Sequence, residues 1–373
     1  MKQTNYILVI IILFVVTACK KDIDTQVLDV AAEIEKEMAA NGIPSLAACI
    51  VKDKEVVWEG TYGFANLNDQ IPATNQTVYT VMSISKTFIA VSIMQLVEDD
   101  KIKLDQDINL YLPFKVRNPS HPTVPITVEM LLTHTSSIAW PQEEDGINDF
   151  SYLYPMDEMP LISEWIPEYL LPGGSKYKQS IWKTYKPGEM ELYSNIATSL
   201  LALIIENVTG TDYRDYCKEN ILEPLEMHNT AFRYINLDTG MLATPYWNMR
   251  YPIHLFNYRH YPAGNLKSNL DDFSHFMIAM LNEGVYNGNR ILEKASIDRM
   301  FEMNNPSSGV SLIWRHCPGD CIGHSGGGEG FSARFELYPE RKKAMIVFTN
   351  RYNDAVYAQG SIYELLRYQA NQY

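Results

Sequence analysis

The stretch Met82-Ser83-Ile84-Ser85-Lys86-Thr87-Phe88-Ile89-Ala90-Val91-Ser92-Ile93-Met94-Gln95-Leu96-Val97 decides how this chain is read. From Ser85 to Val97 it is apolar at almost every turn, which predicts a long, deeply buried helix. The start of that helix carries Ser83 and Lys86, an S-x-x-K spacing that sets the two side chains on one face. A serine hydroxyl is a weak nucleophile at neutral pH and needs a base. A lysine can serve if burial and nearby charge depress its pKa. The helix N-terminus also favours developing negative charge. Alone the tetrad is a weak signal, because a capping serine beside a solvated lysine has the same spelling.

Around this helix the pattern sorts into strands at both ends and helices between. Val27 to Ala40 has helical periodicity and stops at Asn41-Gly42. Ser45 to Trp58 reads as two strands about a turn at Asp53-Lys54, and Gly60 to Ala65 as a third strand or loop. Thr127 is a candidate N-cap for a helix through Leu132. Residues 139–186 read as irregular. Helices are expected at Ser194 to Val208, Leu270 to Leu281 and Asp354 to Asn371, with Ser268 a candidate cap for the second. Ser332 to Tyr338 and Lys343 to Thr349 read as strands. Terminal strands that share one sheet give an α+β fold, an antiparallel sheet flanked by terminal helices. A mostly helical lobe is inserted, and a cleft between lobes is a common place for a site. The expected division is a sheet lobe at about 27–80 and 285–373 and a helical lobe at about 81–284.

The 373 residues carry 31 basic and 45 acidic side chains, a formal net charge of −14. Without a basic stripe such a chain is a poor nucleic-acid binder, so no nucleic-acid partner is expected. Tyr6 to Val16 is an unbroken apolar run behind Lys2, too short to span a bilayer and suited to an export signal. Val16-Thr17-Ala18-Cys19 resembles a bacterial lipobox. Residues 1–18 are therefore expected to be a lipoprotein signal peptide, and 19–26 a tether lipidated on Cys19. Lys20 after the cysteine leans the anchor towards the outer membrane. Cys317 and Cys321 bracket the turn Pro318-Gly319-Asp320 and are a candidate disulfide. Cys49, in an apolar strand, reads as a buried thiol. No Cys/His set has zinc spacing, so no metal is expected.

Two further motifs raise the weight of the tetrad. Tyr193-Ser194-Asn195 follows Pro187-Gly188-Glu189 and precedes an apolar helix. His324-Ser325-Gly326-Gly327 opens a glycine-rich turn before a strand. With Leu131-Leu132-Thr133-His134-Thr135-Ser136 and Pro262-Ala263-Gly264-Asn265-Leu266, these residues resemble the serine hydrolases of the class C β-lactamase and penicillin-binding-protein group, from about Ile43 to Asn350. The resemblance implies the β-lactamase/transpeptidase-like fold and an acyl-enzyme on Ser83. Lys86 would share or relay the proton, and Tyr193 would act as general base or proton shuttle. Asn195 would hold Lys86 and the substrate. The backbone N–H groups of Ser83 and Gly327 would form the oxyanion hole. No cofactor is needed for that chemistry.

Where many β-lactamases carry Lys-Thr-Gly, this chain has His324-Ser325-Gly326. A histidine is mostly neutral at pH 7, which weakens the case for carboxylate-bearing β-lactams or D-Ala-D-Ala peptides. The expected substrate is an ester or amide of a small or peptide-like molecule. The alternatives are a β-lactamase or D-Ala-D-Ala carboxypeptidase, and a non-catalytic binding lipoprotein that keeps the fold. The sequence does not speak to oligomeric state. Aromatics cluster at residues 140–185 and 246–261, as a wall for an apolar group or as packing for long loops. Glu143, Glu144, Asp145, Asp149, Asp157 and Glu158 are expected to favour amine-bearing or neutral substrates over anions. His134 is read as structural, and His121, His228, His254, His260, His275 and His316 as structural or surface residues.

Overall fold

The structure is a computed structural model, and it describes residues 28–140, 153–249, 251–304, 309–357 and 360–373. The expected signal peptide, Cys19 and the acids Glu143, Glu144, Asp145 and Asp149 lie outside the described residues. Among the described residues, no helix is long and apolar enough to cross a membrane.

Helix α1, Val30–Asn41, starts three residues later than its periodicity suggests, because Asp29 caps it by accepting from Ala32 N–H. Gly42 ends it in the left-handed region at φ 60°, which glycine adopts at little cost. Strand β1, Ser45–Lys52, follows. Strand β2, Glu55–Asn66, absorbs the stretch expected as a third element and runs as one 12-residue strand. A short β3, Ile71–Pro72, pairs with its end.

The chain then leaves the sheet and returns as β4, Arg315–Cys317; β5, Cys321–Gly328; β6, Phe331–Tyr338; and β7, Lys343–Thr349. The seven strands lie in the order β4-β5-β6-β7-β1-β2-β3. All their pairings are antiparallel. The two ends of the chain meet where β1 pairs β7, with Leu46 opposite Thr349 and Val51 opposite Ala344.

Strand periodicity divides the core. Leu46, Ala48 and Ile50 of β1 face one cluster with Val30, Ile34 and Met38 of α1 and with Ile362, Tyr363 and Leu366. Those last three belong to the C-terminal helix Ser361–Ala370, and a separate short helix, Asp354–Tyr357, precedes it, so the single helix expected there is two. Ala47, Cys49 and Val51 face the opposite and larger cluster. That larger core is built by α2, Ser85–Glu98; α3, Val128–Leu132; α4, Ile162–Leu170; α5, Asn195–Thr209; and α6, Leu270–Leu281. Phe273 of α6 packs on Phe335 and Phe348 of the sheet, with ring centroids 5.3 and 5.8 Å apart.

The caps explain where these helices begin. Thr127 accepts from Met130 N–H and Ser194 from Ala197 N–H. At α6 the cap is Asn269, which accepts from Asp272 N–H, and Ser268 instead meets Thr230 through its hydroxyl at 2.8 Å. Helix α4 lies inside the stretch read as irregular. Ile162, Trp165, Ile166, Tyr169 and Leu170 form its buried face at helical spacing. Cys317 and Cys321 form a disulfide across the β4–β5 turn. Cys49 and Cys217 are buried free thiols.

Candidate active site

Between Thr77 and Met94 every residue is buried except Ser83. It sits in a single 3₁₀ turn, Met82–Ile84, that leads straight into α2. Met82 takes φ 51°, an unfavourable region for a side chain of its size. Neighbours hold the turn in place. Ser85 Oγ donates to Met82 O at 2.6 Å and accepts from Leu266 N–H at 3.0 Å. Leu266 O accepts from Val81 N–H at 2.9 Å. The Pro262–Leu266 stretch is therefore a clamp on the turn that carries Ser83.

One helical turn on, Lys86 is fully buried, with Nζ 2.9 Å from Ser83 Oγ and donating to Ala263 O at 2.7 Å. Burial, and then the charge of Arg315, pull its pKa well below the ordinary lysine value. An amine that sheds its proton in this way has a lone pair for the serine proton.

Tyr193 arrives from the stretch just before α5. Its Oη is 2.8 Å from Ser83 Oγ, and Lys86 Nζ lies 4.8 Å from its ring centroid. His134 positions that turn. Its carbonyl accepts from Leu192 N–H at 2.7 Å, its Nδ1 from Ser194 N–H at 3.4 Å, and its ring lies 4.7 Å from that of Tyr193. Burial, followed by Arg315, Lys86 and His324, keeps its imidazole neutral. The residue read as structural is thus structural to the tyrosine itself.

Asn195 begins α5. No hydrogen bond joins it to Lys86, whose partners are Ser83 and Ala263; Asn195 Oδ1 is buried and unpartnered.

The third wall is β5. Beyond Gly323 it is the sheet edge, because β4 pairs only with Cys321 to Gly323. A Cβ on Gly326 would sit 2.2 Å from Val81 O and 3.0 Å from Ser83 N. The strand therefore lies backbone to backbone against the turn that carries Ser83, an approach that excludes any side chain. Gly327, opposite Ser332 on β6, follows at once.

His324 is buried, and burial, then Lys86 and Arg315, push its pKa down to about 3. Its Nδ1 lies 2.6 Å from Ser325 O. It is no substitute for a fixed cation. The cation near this wall is Arg315, opposite Gly323, with its guanidinium carbon 5.8 Å from the Tyr193 ring centroid. Nη2 donates to Glu191 Oε1 at 2.9 Å.

The other histidines divide. His121 Nε2 lies 2.7 Å from Thr184 O, His275 Nδ1 2.9 Å from Leu225 O, and His316 Nε2 2.8 Å from Ser311 Oγ. His228 and His254 are exposed. His260 is the exception. It lies close enough to Lys86 to feel its charge, with Tyr258 stacked on it at 4.8 Å and Trp140 edge-on at 4.9 Å. Several aromatics of the two clusters are packing: Trp165, Tyr169, Trp182, Tyr246, Phe256 and Tyr261 are buried. Asp157 is structural as well, accepting from the backbone N–H groups of Tyr234 and Ile235.

The arrangement resembles known proteins. The "Beta-lactamase-like protein 2" of Dictyostelium discoideum is 33% identical over 261 residues, 67% of this chain and 44% of that protein. The protein flp of Staphylococcus aureus strain N315 is 24% identical over 330 residues, 85% of this chain and 61% of that protein. This chain spans less than two thirds of either relative. An octameric penicillin-binding-protein homologue from Pyrococcus abyssi superimposes with a TM-score of 0.76 at 26% identity, covering 91% of this chain and 76% of that one. A class C beta-lactamase does so at 0.71 with 20% identity, covering 91% and 94%. The beta-lactamase family model matches residues 30–369. With the serine, lysine and tyrosine converging at the edge of an antiparallel sheet, the chain belongs to the beta-lactamase family of serine hydrolases.

Proposed function

We propose that the protein hydrolyses an ester or amide bond of a small or peptide-like substrate through an acyl-enzyme on Ser83. The observation that carries this reading is the convergence on one oxygen: Lys86 Nζ at 2.9 Å and Tyr193 Oη at 2.8 Å from Ser83 Oγ. In the first half-reaction the Ser83 proton passes to Lys86, directly or through Tyr193, as Oγ bonds to the substrate carbonyl carbon. The carbonyl oxygen takes the electron pair and is held by the N–H groups of Ser83 and Gly327. The intermediate collapses, and the leaving group departs with a proton from Tyr193, which Lys86 replaces with the one it took from Ser83. Water then repeats the sequence on the acyl-enzyme, and Ser83 recovers its proton. Asn195 Oδ1, a buried acceptor with no hydrogen-bond partner among the described residues, is offered to a substrate N–H.

Buried neutral His324 argues against a β-lactam or D-Ala-D-Ala substrate, whose carboxylate calls for a cation at that place. Arg315 is already matched by Glu191. A purely binding role is disfavoured by the intact contacts around Ser83. A fluorophosphonate probe decides between enzyme and binder. The expected result is one adduct, which peptide mass spectrometry places on Ser83. A folded protein that takes up no probe would make it a binder. Turnover of p-nitrophenyl esters, amino-acid amides and cephalosporins then ranks the substrates.

The chain is further proposed to be exported and anchored in the outer membrane by lipid on Cys19. Palmitate incorporation in the producing bacterium is expected to vanish in Cys19→Ala. Labelling that survives the substitution refutes the anchor.

A further inference from the structure

The two ends of the β5 edge are electrically unequal. At one end the Arg315 guanidinium is paired with Glu191. At the other, in the turn to β6, stands Glu329. Its Oε2 accepts the hydroxyl of Tyr258, and its backbone N–H donates to the same Tyr258 oxygen at 3.2 Å. Among the described residues, no lysine or arginine pairs with this carboxylate. The Tyr258 phenol is held in its protonated form by burial and then by the charge of Glu329.

Contacts place this charge beside the nucleophile. A Cβ on Gly328 would sit 2.7 Å from Tyr258 Oη and 3.3 Å from Sδ of Met82, the residue before Ser83. Tyr258 stacks on His260, three residues before Ala263, whose carbonyl binds Lys86. Glu329, Tyr258 and His260 thus form a connected row that lies near enough to Lys86 for His260 to feel its charge. Glu329 is two residues past Gly327, in the tight turn that Gly328 closes by pairing with Phe331. That suits an amino group close to the scissile carbonyl.

The neighbouring rings of Tyr258 and His260 are buried, so an ion pair made there is screened less than one in water. His260 adds no opposing charge, because burial, and then Lys86, keep its imidazole neutral. Of the acids expected to attract amines, Asp157 is committed to backbone N–H groups.

We propose that Glu329 anchors a primary ammonium group of the substrate, so that the cleft prefers acyl groups bearing a nearby amine. The inference rests on the hydrolase reading for its site but not for its test. Calorimetry on the Ser83→Ala protein compares alaninamide, in both enantiomers, with N-acetylalaninamide. At least one free amine is expected to bind about tenfold more tightly than its acetylated form, and this margin is expected to disappear when Glu329→Gln is added. Glu329→Lys, which reverses the charge, is expected to favour N-succinylalaninamide. Equal binding of amine and acetylated ligand, or a margin that survives Glu329→Gln, overturns the proposal. Absence of a probe adduct on Ser83 would sink the hydrolase and leave this binding comparison to decide the subsite.

Discussion

Lys86→Met is expected to lower kcat/KM by about 10³-fold, the scale of a lost general base, while the fold survives. Methionine fills nearly the same volume without an amine to take the serine proton. The pH dependence gives this prediction its sign. Only the neutral amine is a base, so wild-type activity is present above the folded pKa of Lys86 and is lost as pH falls through it. Burial, helped by Arg315, sets that pKa well below the ordinary value. Arg315→Gln removes the nearby positive charge and is expected to move the acid limb of the profile to higher pH; Arg315→Lys is expected to leave it in place.

The same shift has a consequence for stability. Between the folded pKa and the unfolded value near 10.5, the unfolded state holds a proton on this lysine that the folded state lacks. Stability therefore rises with pH across that window and falls as pH drops towards the folded pKa. Lys86→Met removes this contribution, so the Tm of wild type minus that of the variant is expected to grow between pH 7 and 9.5. A variant that keeps wild-type kcat/KM, or a Tm difference that shrinks with pH, would exclude a neutral Lys86.

Why Lys86 was legible as a candidate base and its partners were not is a matter of range. Ser83 and Lys86 are three residues apart across the 3₁₀ turn and the first turn of α2, and helical geometry alone puts them on one face. The starts of α3 and α5 were legible for the same local reason, because Thr127 and Ser194 cap the backbone three residues ahead. The group that holds Lys86 from behind is a main-chain carbonyl, that of Ala263, 177 residues away. No side-chain identity announces a carbonyl. Arg315 and Glu191 are 124 residues apart, and Trp140 and His260 meet only once the chain is folded. His260 was read as bland because its significance lies wholly in those tertiary neighbours. Helix α4 was a different failure. The pattern Ile162, Trp165, Ile166, Tyr169, Leu170 was present, but Pro167 and the surrounding aromatics masked it.

Gly326→Ala is expected to cost about 10²–10³ in kcat, although the residue has no side chain and takes part in no proton transfer. The added methyl would sit 2.2 Å from Val81 O, 2.9 Å from Met82 Cβ and 3.0 Å from Ser83 N. Two of these are backbone atoms of the nucleophile turn, which Ser85 and Leu266 hold fixed. The strand must therefore move, and it carries Gly327 with it. An oxyanion hole whose two donors sit on separate elements works only while those elements keep their spacing. A loss of about 1–3 kcal/mol in stability should accompany the change, as for other overpacked contacts. Gly328→Ala is the internal control. Its methyl would meet the ends of Tyr258 and Met82, flexible side chains that can swing aside, so a smaller loss in kcat is expected. The measurement is the acylation rate of each folded variant with the fluorophosphonate probe, beside its Tm. Acylation of Gly326→Ala at the wild-type rate would mean that the edge strand supplies no part of the oxyanion hole, and the second donor would have to be sought elsewhere in the cleft.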